Sequence, residues 1–305
     1  MLIAIVLTIV ATFIWAVTSH IDKYILCNIV NYNDSLKIVL IFSSFVAGII
    51  FAPIWLIKLN FDVFIDFYML IIVFFSTIFY LLSLYFYFKA LEKNDASLIS
   101  AMFQLVPIFS YIISRIFFKD ILTINELIGA IIIMLSAIII SYDFDNYKNK
   151  NKSIALIYMF FSCLFEALYY FTFEVSMRYS NFLLSSFWYQ TFLLLIGIFL
   201  LFRKKYYVKF FKNLKNSGKK YIKLNIVNEF LNMLANFMIN FANITIPIAI
   251  ANTLNGLQSV FVFIIGIIGT LLFPKYIKED ISGNILLQKI ICFLISIIGI
   301  FIMFY

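Results

Sequence analysis

The chain is a succession of apolar runs, each close to the thickness of a bilayer. About 20 apolar residues cross the hydrocarbon core, and about ten runs of that order stand between charged or turn-forming residues. They cover Leu2–Ser19, Ser35–Ile57, Phe67–Phe88, Ala96–Phe118, Asn125–Tyr142, Ile154–Phe173, Leu183–Phe202, Tyr221–Asn243, Ile248–Phe273 and Ile285–Tyr305. The first has room to continue past His20 to Ile29. In lipid every backbone polar group needs a partner within the protein, so such runs fold as helices. Composition points the same way. The chain is 64% hydrophobic and 12% charged, where a soluble domain has about 45–50% and 25%. The expected fold class is an all-α integral membrane protein with about ten transmembrane helices, and little room remains for a soluble domain. Met1 leads straight into apolar residues without a basic segment, so a first membrane helix is expected there rather than a cleaved leader.

One run breaks the apolar rule. Between Asn225 and Asn243 the chain carries Asn228, Glu229, Asn232, Asn236, Asn240 and Asn243. At the helical period these fall, with Asn225, within an arc of roughly 120°. Ile239 is the apolar residue inside that arc, and Phe230, Leu231, Leu234, Phe237, Met238 and Phe241 form the other side. Amides facing lipid would lose their water without replacement, so the rail faces other helices or a wet cavity. Interhelical bonding is one reading, at about 1–2 kcal/mol per bond in model peptides. A wall of a hydrophilic substrate path is the other, favoured by the number of amides and the carboxylate among them.

Three further spans have a polar stripe. The first aligns Thr8, Thr12, Trp15, Ser19 and Asp22; the sixth aligns Ser162, Glu166, Tyr170 and Glu174; the ninth aligns Asn252, Asn255, Gly256 and Ser259. Such stripes converge on a shared interior. The expected cavity is lined by the first, sixth, eighth and ninth helices, joined by the third and fourth. Its expected substrate-binding residues are Trp15, Ser19, Glu166, Tyr170, Asn232, Asn236, Asn240, Asn252 and Asn255. Glu166 sits deep in its span with no cation one helical turn away. A carboxyl in that setting favours its protonated form, as a proton-coupled carrier requires; a neutral Glu bonded to an amide is the structural alternative. Glu174 and Asp22 are further proton-coupling candidates, although Glu174 has Arg178 one turn on, and Asp22 has Lys23 and His20 as neighbours.

The polar linker Asp143–Lys152 divides the chain near its middle. Sliding one half along the other pairs Phe13 with Phe165, Asp22 with Glu174, Ala90 with Ala242 and Phe109 with Phe261. An odd number of spans per half would make the halves enter from opposite sides, as in transporters built on inverted repeats. Expected units are residues 1–147 and 148–305.

The run Tyr87 to Tyr142 carries a more specific pattern. It reads Tyr87-Phe88-Lys89-Ala90-Leu91, Ala96-Ser97-Leu98, Pro107, Asp120-Ile121-Leu122-Thr123, Glu126 and Gly129. This resembles the EamA-like members of the drug/metabolite transporter superfamily, and Trp15-Ala16 resembles their Trp-Gly in the first helix. The second half keeps Ala242, Glu279, Gln288 and Gly299 but has Ser259 and Ile291 where the family pattern has Pro and Gly. The resemblance implies two inverted five-helix units moving a small polar metabolite or drug. Pro107 inside a span kinks the helix at a cavity-lining point or serves packing alone. Gly129, Gly266 and Gly299 are expected to allow close helix approach.

With two related halves, polar stripes and no Gly-rich phosphate loop, a secondary active transporter working by alternating access is the expected function. A non-transporting membrane subunit or receptor is the alternative. An enzyme is not expected, because no nucleophile–base or metal-ligand spacing is present. Cys27, Cys163 and Cys292 are isolated and without metal-ligand spacing, so they read as small apolar filler, and no metal or cofactor is expected. The net charge of +8 comes largely from Arg203–Lys223. That run reads as a cytoplasmic topology signal touching anionic membrane lipid, not a nucleic-acid site. Ten-span parity would then place both termini outside, whereas the resemblance implies cytoplasmic termini; the sidedness stays open. A small-molecule substrate, membrane lipid and the cell membrane complete the expectations.

Overall fold

The computed structural model describes residues 2–28, 35–63, 66–92, 94–117, 123–141, 150–246, 251, 254–277, 279 and 283–304. Among these residues the regular structure is helical and no strand occurs. The helices are α1 Leu2–Asn28, α2 Ser35–Val46, α3 Ala52–Lys58, α4 Phe67–Leu91, α5 Ala96–Met102, α6 Val106–Phe117, α7 Ile124–Ser141, α8 Lys150–Tyr179, α9 Phe182–Leu201, α10 Lys204–Ala242, α11 Leu257–Leu272 and α12 Gly283–Phe304.

Burial is arranged for lipid rather than water. Thr8, Thr12, Ser76, Thr77, Ser162 and Ser185 are fully buried, while Leu2, Phe199, Phe202 and Phe301 are more than half exposed. Large apolar side chains on the outside, with hydroxyls turned inward, match a hydrocarbon surround. Among the described residues six helices are long and apolar enough to cross a membrane: Leu2–Cys27, Leu36–Lys58, Phe67–Leu91, Ala96–Phe117, Ile154–Tyr179 and Phe182–Leu201. Leu257–Leu272 is a shorter apolar helix, and the stretch Leu286–Gly299 within α12 is apolar as well. The chain is thus an all-α, multi-pass integral membrane protein.

Two of these spans are interrupted, and each interruption adjoins a proline. Ala47–Phe51 is a π turn ahead of α3, which holds Pro53 in its first turn. Phe103–Leu105 is a 3₁₀ turn before α6, which starts Val106-Pro107. A proline cannot donate to the carbonyl four residues back and its ring crowds that carbonyl, so the ladder rewinds locally. Gly48 in the π turn lets α9 approach closely: a Cβ there would stand 2.3 Å from the Cβ of Leu194.

Helix starts are specified by local side chains. Asp66 accepts from the backbone N–H of Tyr68 at 2.8 Å and of Met69 at 3.3 Å. Asn181 accepts from Leu184 N–H at 2.8 Å. Thr123 and Glu126 form a reciprocal capping box: Thr123 N–H donates to the Glu126 carboxylate at 2.6 Å, and Glu126 N–H to the Thr123 hydroxyl at 3.3 Å. Part of the sequence motif at the start of the fifth span therefore has a local, structural cause.

The Lys-rich run Arg203–Lys223 is largely helical. It begins α10, which continues through to the Asn rail across a break at Gly218, where φ is 74° and ψ 168°. The run Lys204–Ser217 buries Tyr206 and Phe210 against Ile38, Ile41, Phe42 and Val46. Apolar residues at helical spacing overrode the charge between them. Lys37 Nζ donates to the Tyr206 hydroxyl at 2.8 Å, which holds that phenol below its ordinary pKa.

The helices pair across the middle of the chain. α4 runs along α8, α7 along α12, and α2 and α3 pack on α9. α1 packs on α10 and α11, and α6 on α8.

Candidate functional site

The faces that carry polar residues meet around one cavity. From α1 come Trp15, Thr18, Ser19 and Asp22, and from α8 Glu166 and Tyr170. Asn232 and Asn236 reach it from α10, with Asn255 and Gln258 from the start of α11. α4 contributes Tyr80, Ser83, Leu84 and Tyr87. Phe103, in the break before Pro107, and Val106, just after it, complete the wall. The cavity encloses about 710 Å³ of space between atoms, counting its open mouth.

The carboxyls are held by neutral partners. Asp22 accepts from the Asn228 amide at 2.6 Å and the Tyr87 hydroxyl at 3.3 Å. Its sequence neighbour Lys23 turns away, donating to the carbonyls of Leu91 at 2.8 Å and Glu92 at 3.1 Å. His20 faces the Val262 carbonyl at 2.9 Å. Glu166 accepts from Ser83 Oγ at 2.6 Å. The Ser162 hydroxyl donates to the Ser83 carbonyl at 3.0 Å, which ties α4 to α8 beside Glu166.

The Asn rail faces inward along its length. Asn225, Asn228, Glu229, Asn236, Asn240 and Asn243 are all buried, and so is Ile239 between them. The rail divides its work. Asn228 binds Asp22, and Asn240 donates to the Tyr169 hydroxyl at 2.7 Å, so both join helices. Asn236 donates to the Asn232 carbonyl at 3.0 Å and to the Tyr80 hydroxyl at 3.5 Å, and with Asn232 it lines the cavity. Glu229 accepts from Ser43 of α2 at 2.5 Å. Bonding between helices and a polar wall therefore coexist on one helix face.

Of the residues expected at the site, Trp15, Ser19, Asp22, Glu166, Tyr170, Asn232, Asn236 and Asn255 share this cavity. Asn240 lies instead at a smaller neighbouring cavity of about 280 Å³, next to Trp55, Tyr189 and Gln190. Glu174 stands apart and pairs with Arg178 at 2.8 Å, the local partner its spacing offered. Asn252 lies outside the described residues. Sequence reasoning named the third span without naming its residues. Tyr80, Ser83 and Tyr87 recur at helical spacing, but the abundance of aromatics in that span hid the stripe.

A second buried cluster lies beyond the cavity. Glu279 accepts from the Ser97 backbone N–H at 3.1 Å, from the Ser97 hydroxyl, and from Lys289 Nζ at 3.1 Å. Asp95 stands 3.9 Å from the same ammonium. Gly266 makes room for it, since a Cβ there would lie 2.8 Å from Glu279 Cγ. The close approach expected of Gly266 is thus to a side chain on the following connection.

No curated protein matches the chain. A solved structure described only as "Crystal structure of protein" is similar over 98% of this chain and 94% of its own, with a TM-score of 0.67 and 11% identity. At that identity the likeness shows a shared fold alone. The EamA-like transporter family matches residues 2–142, a stretch that holds α1 to α7 and Trp15, Ser19, Asp22, Tyr80, Ser83 and Tyr87 of the cavity. Over those residues the chain is similar to the EamA-like transporter family, in keeping with the resemblance to the drug/metabolite transporter superfamily.

Proposed function

We propose that the protein is a secondary active transporter that moves a small polar metabolite or drug by alternating access, in the cell membrane. The observation that carries this reading is the convergence of α1, α4, α8, α10 and α11 on one cavity with two carboxyls and several amides in its wall. Polar groups at membrane depth are costly unless they serve one another or a solute.

The reading includes ten transmembrane helices in two inverted repeats, residues 1–147 and 148–305. The helix pairing supports it. Exchanging the halves turns the contact of α4 with α8 into that of α10 with α1, and α6 on α8 into α11 on α1. The pairs α7–α12 and α2–α9 map onto themselves. A pseudo-two-fold axis accounts for all four relations, and solute sites in such folds lie where the halves meet.

Glu166 is the proposed proton carrier, with Asp22 as a second acid in the same wall. Glu166 takes up a proton from solvent on one side of the membrane and releases it on the other as access alternates, with the Ser83 hydroxyl donating to its carboxylate between the two events; Glu174, held by Arg178, is left out of this role. The test is flux in liposomes holding the purified protein, across candidate metabolites, with and without an imposed proton gradient. Gradient-driven uptake is expected, and Glu166→Gln is expected to abolish it while leaving expression intact. Normal transport by that variant at every pH would remove Glu166 from the mechanism. Liposomes that stay tight to every solute would overturn the transporter reading.

A further inference from the structure

The smaller cavity, of about 280 Å³, lies further along α10, toward Asn243 and away from the Lys-rich run. Among the described residues it shares only Asn236 with the central one. The indole N–H of Trp55 and the side-chain oxygens of Gln190, Asn236 and Asn240 are in its wall, buried, and without a hydrogen-bond partner among the described residues. The three amide side chains are at most 6% exposed. Their nitrogens are already engaged. Gln190 donates to Met233 Sδ at 3.4 Å, Asn236 to the Asn232 carbonyl at 3.0 Å, and Asn240 to the Tyr169 hydroxyl at 2.7 Å. Turning an amide end for end would leave its nitrogen unpaired instead, so the pocket asks for a hydrogen-bonding guest either way.

The guest is neutral, because no Asp, Glu, Lys, Arg or His lines this cavity among the described residues. It must also offer more donors than acceptors, since three oxygens and one N–H await it. A pair of waters meets that demand. Of their four O–H groups, three serve the oxygens and one joins the two waters, while a lone pair takes the Trp55 N–H. At roughly 30 Å³ per water in the liquid, the space suffices. The hydroxyls of Ser186 and Tyr189 stand in the same wall and can donate or accept. The rest is apolar and aromatic. Trp55 stacks on Phe237 with ring centroids 5.1 Å apart, and Phe182 packs edge-on against both.

We propose that this cavity binds a pair of waters bridging Trp55, Gln190, Asn236 and Asn240, and that α3 and α9 part from α10 along this wet seam when the transporter opens toward Asn243. Nearer the Lys-rich run the second span and α10 are joined directly, by Ser43 to Glu229. In the small cavity water takes the place of such a bond. When a water-held contact breaks as solvent enters, no polar group is left without a partner. A direct buried bond has no such replacement until its groups reach solvent. The opening step rests on the transporter reading; the water site stands apart from it.

The water site is tested by X-ray radiolytic footprinting of the purified full-length protein in nanodiscs, with a radical scavenger in the bulk solvent. Radicals then act on side chains that touch bound water. Met233 lines the cavity and is 2% exposed, whereas Met69 and Met159 are 0% exposed and line neither this cavity nor the central one. Met233 is expected to oxidise about fivefold faster than Met69 and Met159, and the double variant Gln190→Leu with Asn240→Leu to lose most of that excess. Equal oxidation of the three methionines would overturn the water site. Xenon entering the cavity in pressurised crystals would do the same, since xenon fills dry apolar space. Both results need only the parent protein, so they decide the matter if the variant fails to fold. An excess that survives in a folded double variant would overturn the bridging role of the two amides. In the liposome assay the double variant is expected to slow uptake of a transported metabolite about tenfold. Uptake at the parent rate would overturn the parting along this seam. Liposomes tight to every solute would remove the transporter reading and the opening step with it, and Met233 oxidation would still decide the water site.

Discussion

Replacing Lys289 by Met tests whether the buried ion pair closes the connection between α11 and α12 onto α5. Lys289 and Glu279 side chains are 6% and 4% exposed and meet at 3.1 Å. Removing one member of such a pair leaves a buried charge and costs about 3–5 kcal/mol. Glu279 keeps the Ser97 backbone N–H and hydroxyl as donors, so the lower end applies, about 3 kcal/mol. That is close to a hundredfold in the unfolding equilibrium. Adding Glu279→Gln should recover most of the loss, because a neutral amide still accepts from Ser97 N–H without an unpaired charge. Removing a whole buried pair is often near neutral, so the double variant should be about 2 kcal/mol more stable than Lys289→Met alone. The assay is unfolding by sodium dodecyl sulfate titrated into mixed micelles, followed by helical circular dichroism, on the parent, both single variants and the double. If Lys289→Met unfolds within about 0.5 kcal/mol of the parent, or the double variant is as weak as the sum of the singles, the pair does not close this connection.

Two further predictions use the same titration. Gly48→Ala drives a Cβ to 2.3 Å from Leu194 Cβ and 3.0 Å from the Gln190 carbonyl. It should cost about 1–3 kcal/mol, and a neutral result would show that α9 withdraws freely from the π turn. Arg178→Ala breaks an ion pair whose guanidinium side is 57% exposed, so it should change stability by no more than about 0.5 kcal/mol. A loss of several times that size would mean Glu174 depends on Arg178 as a buried partner would.

What the sequence by itself determined was the setting and the faces. Lipid demands apolar runs of fixed length and internal backbone pairing, so α1, α4, α8 and α9 follow from hydropathy. The helical period then assigned sides. A row of amides from Asn225 to Asn243 cannot point at hydrocarbon, and it is buried. Local chemistry was legible too, in the Thr123–Glu126 capping box and the Glu174–Arg178 pair. Hydropathy served less well where function or charge interrupts it. The Lys-rich run reads as a loop by charge, yet Tyr206 and Phe210 anchor it as helix.

Only the tertiary structure decided which polar groups meet. Asp22 finds Asn228, Glu166 finds Ser83, and Glu279 finds Ser97 and Lys289, each on another helix or connection. A stripe's period states that a face turns inward but carries no information on the helix opposite. That choice depends on how all the helices pack together at once, so Lys23 could stand beside Asp22 in the chain and bond elsewhere in space.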